Sequence, residues 1–285
     1  MNNSARLAGR RVLITGAARG IGAALAQRLH ERGARVALVG LEPDRLKEVA
    51  GLCGDAPWHV CDVADRDSVH TAVTSSVDAR GGLDVMVANA GIGAQLPLVG
   101  GNPEVMDRII RVNLMGVYNT IWASAAHVSH PNGYALLVSS FAAALHLPLM
   151  GAYSASKAAV EALGNTLRIE LRPSGARVGV AYFAELDTDM TRRGYDTRAA
   201  RSLPAARLIG RARPLKLGID ALERGIARRA RRIVAPRWMA GGLPFRMTVQ
   251  RAADRVTQPG LAKALEIARE EHVSLTTPQP HEVDD

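Results

Sequence analysis

Arg11-Val12-Leu13-Ile14-Thr15-Gly16-Ala17-Ala18-Arg19-Gly20-Ile21-Gly22 is the stretch on which the fold is decided. Its first four residues read as a short, mostly apolar strand. Three glycines follow within seven residues, and the run from Gly20 to Glu31 has helical character. Glycines at a strand-to-helix turn permit a tight reversal. They also let backbone N–H groups approach a pyrophosphate at a helix N-terminus. A phosphate-binding loop of the other common type would need Gly-Lys-Ser/Thr, which is missing.

Outward from this turn, short apolar runs alternate with helical patterns. Strands are expected at 35–39, 58–60, 84–88, 135–139 and 177–182. Helices are expected at 43–50, 65–79 (capped by Asp65), 103–128 and 152–171. Such alternation predicts βαβ units and a parallel sheet covered on both faces, the α/β doubly wound Rossmann class. No internal repeat or long linker interrupts it, so residues 1–285 are expected to form a single dinucleotide-binding catalytic domain. Within it, 191–260 is expected to serve as a substrate lid and basic C-terminal extension. That extension should be helical at 218–230 and 262–271, with a last strand at 232–234. The end, 276–285, is expected to be a disordered tail.

Apolar residues make up 47% of the 285, enough for a sizeable core, and the net charge is +9. Seventeen of the Lys and Arg residues, against four Asp and Glu, fall between Thr191 and Arg255. That bias suits nucleic acid, an anionic membrane surface or an anionic substrate. Without interleaved aromatics or a nucleic-acid motif, a solvated arginine-rich face is the simpler reading. Cys53 and Cys61 suit a reducing, cytoplasmic setting as small buried hydrophobes, and no metal site is expected. No apolar stretch precedes the first strand. The uncharged run from Gly133 to Ser156 carries too many polar residues and a proline to be read as a membrane span.

Tyr153 and Lys157 stand four apart at the start of a helix, on one face. A tyrosine titrates near 10 and is a poor base at neutral pH. A neighbouring ammonium and a cationic nicotinamide would stabilise tyrosinate and make Tyr153 an acid/base for an alcohol proton.

Thr15, Gly16, Gly20 and Gly22 match the pattern TGxxxGxG, and with it the chain resembles the short-chain dehydrogenase/reductase family from about Arg10 to Met190. The resemblance implies a Rossmann fold with about seven strands and hydride transfer between NAD(P)(H) and an alcohol/carbonyl pair. It implies a catalytic set of Asn113, Ser140, Tyr153 and Lys157. Ser140 lies thirteen residues before Tyr153 and would hydrogen-bond the substrate oxygen, with Ser139 as its competitor. Asn113 would help hold a water near Lys157. Cofactor contacts are implied for Gly16, Arg19, Gly20, Ile21, Gly22, Asp62 (to the adenine amino group), Val63, Asn89, Ala90, Gly91, Tyr153, Lys157 and Thr188. The family's Pro-Gly after the sixth strand is replaced by Phe183-Ala184, which puts the course of that loop in doubt.

An acidic residue that would hold a ribose 2′-OH is missing at Gly40-Leu41, and Arg19 could pair with a 2′-phosphate. Together these point to NADP(H), with NAD(H) through Glu42 as the alternative. The pocket walls, from Phe141 to Met150, from Ile92 to Leu98 and after Met190, are expected to be apolar. They suit a small hydrophobic alcohol or ketone. His146 is read as a loop residue without catalytic duty. A homodimer or homotetramer through the two long helices is expected. A rival reading is a catalytically silent nicotinamide-binding sensor or scaffold with a basic segment for nucleic acid or membrane surfaces.

Overall fold

The computed structural model describes residues 3–194, 197–203, 212–271 and 275–276. Its strands are β1 (Arg11–Thr15), β2 (Arg35–Gly40), β3 (Trp58–Val60), β4 (Val85–Ala88), β5 (Tyr134–Val138), β6 (Arg177–Phe183) and β7 (Arg232–Ala235). They form one seven-stranded sheet in the order β3-β2-β1-β4-β5-β6-β7, parallel throughout. The helices before β6 are α1 (Asn3–Leu7), α2 (Gly20–Glu31), α3 (Pro43–Gly51), α4 (Arg66–Arg80), α5 (Pro103–Ile110), α6 (Gly116–Val128) and α7 (Gly151–Glu170). Beyond β6 come α8 (Asp189–Gly194), α9 (Arg198–Ser202), α10 (Leu215–Arg228), α11 (Arg246–Thr257) and α12 (Leu261–Glu270).

The strands are apolar on both faces because both are covered. Val12, Ile14, Val85, Val87, Leu136 and Val138 pack toward α1, α2, α3 and α10. Their neighbours Leu13, Met86, Ala88, Ala135 and Leu137 pack toward α4, α6 and α7. Alternation of side chains along each strand thus feeds two separate apolar layers. Strand order reverses at β1, whose partners are β2 and β4. The crevice outside the carboxyl ends of β1 and β4 is where such a sheet binds ligands.

Two expectations are corrected here. The helix read as continuous from Pro103 to Val128 is interrupted by a π-helical turn, Arg111–Met115, centred on Asn113. A wider turn changes which face Asn113 presents, and such turns concentrate at functional sites. The tail does not begin at residue 276: Thr276 is buried, its N–H donates to the Gly93 carbonyl, and its hydroxyl accepts from the Gly93 N–H. The rest of that expectation, 277–285, lies outside the described residues, as do 195–196 and 204–211 of the expected lid.

The C-terminal part folds back over the sheet. The Glu271 carboxylate accepts from the N–H groups of Arg198 (2.8 Å) and Ala199 (3.1 Å), capping α9. Arg246 on α11 pairs with the buried Glu161 on α7 at 3.1 Å. Arg224, Arg228, Arg231 and Arg232 of the basic segment face solvent. Among the described residues no helix is long and apolar enough to cross a membrane, and both cysteines are free and buried.

Candidate active site

At the carboxyl end of β1, Gly16 takes a φ of +66° and approaches the backbone of Ala90. A Cβ on Gly16 would stand 2.8 Å from the Ala90 Cα. Gly22 lets α2 close on this turn, since a Cβ there would lie 2.1 Å from the Gly16 carbonyl oxygen. Asn89 fastens the arrangement, its Nδ2 donating to the Thr15 carbonyl at 2.9 Å. The Thr15 hydroxyl accepts from the N–H groups of Asn89 and Ala90 at 3.1 and 3.2 Å. The glycine turn and Asn89-Ala90-Gly91 are therefore one interlocked unit. The first turn of α2 has no side-chain cap, which leaves its leading N–H groups for an anion.

Beside this unit lies a cavity of about 370 Å³, lined by the turn from Gly16 to Ile21 and by Tyr153 and Lys157. Asp62, Val63, Asn89, Ala90, Gly91, Ser140 and Thr188 border the same space. Gly22 and Asn113 stand behind it, structuring its walls. Asn113 is fully buried rather than facing solvent. Its amide donates to the Ile92 carbonyl (2.9 Å) and the Ser156 hydroxyl (3.0 Å) and accepts from the Ile92 N–H (2.8 Å). Ser156 in turn donates to the Tyr153 carbonyl at 2.7 Å, so Asn113 is linked to the turn that carries Tyr153.

Ser140 and Ser139 part company. The Ser139 hydroxyl donates to the Lys157 carbonyl at 2.8 Å and is buried. The Ser140 hydroxyl accepts from the Ala142 N–H and makes only a long contact, 3.4 Å, to the Phe183 carbonyl, leaving it able to bond elsewhere. Lys157 Nζ donates to the Val138 carbonyl at 3.1 Å and stands 5.6 Å from the centre of the Tyr153 ring. Complete burial lowers its pKa from the usual 10.5 to about 8.

Charges near the glycine turn differ from expectation. Arg19, expected to await a 2′-phosphate, is ion-paired with Glu42 and lies 3.7 Å from Asp189. Asp62 pairs with Arg108 at 2.8 Å and accepts from the Ala64 N–H. In the loop after β6, Phe183 continues the strand: it pairs with Ala235 and joins the core, and the Ala184 N–H donates to the Ala235 carbonyl. Its bulk therefore goes largely into packing. Leu98, expected as pocket wall, is exposed, while Ile92 and Gln95 do line the cavity. His146 is exposed and ties the loop to Gln250 through its backbone.

Four contributors were not legible in the sequence. Ser156 sits inside the Tyr153–Lys157 spacing, and only its burial on the helix reveals its role. Glu185 lines the cavity where the family's loop motif is broken, and that break was the available signal. Glu271 and Thr276 act across long sequence distances that no local pattern reports.

The family model described as short chain dehydrogenase matches residues 10–199, two-thirds of the chain. The chain belongs to the short-chain dehydrogenase family. It is an NAD(P)-dependent oxidoreductase acting on the alcohol/carbonyl couple. A 3-oxoacyl-[acyl-carrier-protein] reductase of Thermotoga maritima is 36% identical over 191 residues, covering 65% of this chain and 78% of that protein. A short chain dehydrogenase from Mycobacterium paratuberculosis, solved bound to NAD, is 32% identical with a TM-score of 0.62, covering 65% of this chain and 75% of that one. A short-chain dehydrogenase/reductase from Burkholderia phymatum shares the fold at 22% identity and a TM-score of 0.76, covering 87% and 96%.

Proposed function

We propose that this short-chain dehydrogenase interconverts a hydrophobic alcohol and its ketone, with Tyr153 as the acid/base. The observation that carries this reading is the single cavity with an uncapped helix N-terminus at one end and Ser140, Tyr153 and Lys157 at the other. The glycine cradle fits a dinucleotide: a Cβ at Gly91 would crowd Asn113 Oδ1 and Lys157 Nζ at 3.2 and 3.3 Å. When bound, a nicotinamide supplies the hydride acceptor or donor.

The residues divide the work. The N–H groups of Gly20, Ile21 and Gly22 would hold the pyrophosphate, with Gly16 shaping the turn. Asp62 and Val63 would border the adenine, Asn89, Ala90 and Gly91 the adjoining ribose, and Thr188 the nicotinamide carboxamide. Ser140 would hold the substrate oxygen while Tyr153 takes or gives its proton. Lys157, held in ammonium form by nucleotide contacts, would stabilise tyrosinate. Asn113 would keep the Ile92 loop and the Tyr153 turn in register.

The Arg19–Glu42 pair favours NAD(H) over NADP(H). A ribose 2′-OH could donate to Glu42, whereas a 2′-phosphate would have to separate Arg19 from a carboxylate and remain beside it. Apolar walls from Ala142, Leu145, Leu147, Leu149 and Met150 suit a hydrophobic substrate. Met115, Tyr118 and Trp122 form an exposed apolar stripe along one helix face, which supports a homodimer or homotetramer through α6. Two free thiols fit a cytoplasmic setting.

The test is a fluorescence titration with NADH and NADPH, followed by turnover of a panel of apolar alcohols. Y153F should keep nucleotide affinity within a few-fold and lose about 10²- to 10⁴-fold in kcat. A Y153F enzyme with undiminished turnover would sink the assignment.

A further inference from the structure

Glu185 is a partly buried carboxyl on the wall of the cavity. Its backbone is fixed on both sides: its carbonyl accepts from the Arg213 N–H and the Asp187 N–H donates to the Arg213 carbonyl, each at 2.8 Å. Among the described residues, no side chain forms an ion pair or hydrogen bond with its carboxyl group. Burial raises its pKa above the ordinary carboxylate value, and no neighbouring cation opposes that rise. A desolvated carboxyl without a partner is costly to keep, and in a cleft it is a candidate for function.

The other charges of the cavity are already spoken for. The cations lining it are Arg19 and Lys157. Arg19 faces Glu42 and Asp189, and Lys157 donates to the Val138 carbonyl. Glu185 lies two residues beyond Phe183, whose carbonyl meets the Ser140 hydroxyl, and four before Asp189, which meets the glycine turn. Along the chain it thus stands closer to the contact at the Ser140 end than to the contact at the glycine turn. The species expected at that end changes charge during turnover: an oxidised nicotinamide ring is cationic, and a reduced one is neutral.

We propose that Glu185 is an electrostatic selector for the oxidised nucleotide, loading the enzyme for alcohol oxidation. This rests on the dehydrogenase reading above. A carboxylate facing the ring attracts the cationic form and is indifferent to the neutral one, so its effect falls on the ratio of two affinities. Neither the pyrophosphate nor the ribose contacts enter that ratio, because both forms share them.

The experiment is calorimetric titration of wild type and E185Q with NAD⁺, NADH, NADP⁺ and NADPH at low ionic strength, with E185M as a second variant. Thermal melts confirm that each variant folds. Loss of the carboxylate should weaken the oxidised form relative to the reduced one by about tenfold, for whichever nucleotide pair binds. A ratio that stays within twofold of wild type in both variants overturns this inference alone. Failure of the wild type to bind any of the four overturns the functional reading and this inference with it.

Discussion

Lys157 is held at the site against its own solvation, and replacing it should make the protein more stable. Its side chain is 4% exposed, and burial moves its pKa from 10.5 to about 8. A displacement of that size corresponds to roughly 3 kcal/mol at neutral pH. Lys157→Met keeps the length and flexibility of the chain and removes the charge. It also leaves the Val138 carbonyl without its 3.1 Å donor, which costs about 1 kcal/mol. The net expectation is a nucleotide-free variant about 2 kcal/mol more stable than wild type at pH 7 and nearly inactive. The sign of the pH dependence follows. The folded state disfavours the ammonium, so between pH 8 and 10.5 the unfolded chain binds more protons. Wild-type stability therefore rises with pH relative to the variant across that window. Urea unfolding of both proteins, without nucleotide, at pH 7 and again near pH 10 reads both quantities. A Lys157→Met protein less stable than wild type at pH 7 would refute the reasoning, as would a stability gap that does not narrow as pH rises.

Gly22→Ala would place a methyl 2.1 Å from the Gly16 carbonyl. We expect a loss of about 1–3 kcal/mol in a thermal melt and of measurable NADH binding. Asn113→Ala strips three hydrogen bonds from a buried site. It should destabilise by about 2–4 kcal/mol, and hydrogen exchange should show the Ile92 amide losing protection before the sheet does. Glu271→Ala removes the acceptor for the Arg198 and Ala199 N–H groups while the Thr197 cap stays, and roughly 1 kcal/mol of local stability should go with it. Because α9 borders the cavity through Ala200, KM for the alcohol should rise while nucleotide affinity holds.

The sheet was legible because parallel strands buried on both faces must be apolar throughout, and Val85–Ala88 or Leu136–Val138 can hardly be read otherwise. The glycine turn and the Tyr153–Lys157 spacing were legible because each is a local geometric requirement. What escaped depends on contacts distant in sequence. The π turn at Asn113 is stabilised by a bond to a loop 21 residues away, so the local helical pattern did not betray it. The engagement of Arg19 depends on Glu42, 23 residues on, which read alone was an equal claimant for the ribose. The capping of α9 by Glu271 spans more than 70 residues, and nothing in either segment announces the other.

The family match ends at residue 199, while Ala200, Leu203, Met239 and Thr257 still line the cavity. The chain therefore carries two inheritances in one pocket. Most of its lining, with the glycine turn, Ser140, Tyr153, Lys157 and the apolar wall of Leu145, Leu147 and Met150, falls within the family match, and a smaller share comes from the third beyond it. The two parts are joined throughout: β7 pairs with β6, α10 packs in the main core with Arg28 and Arg32 reaching Glu223, and Arg246 meets Glu161. A lineage that changes its substrate through this part must therefore keep the sheet edge and the ion pairs that bind it to the rest.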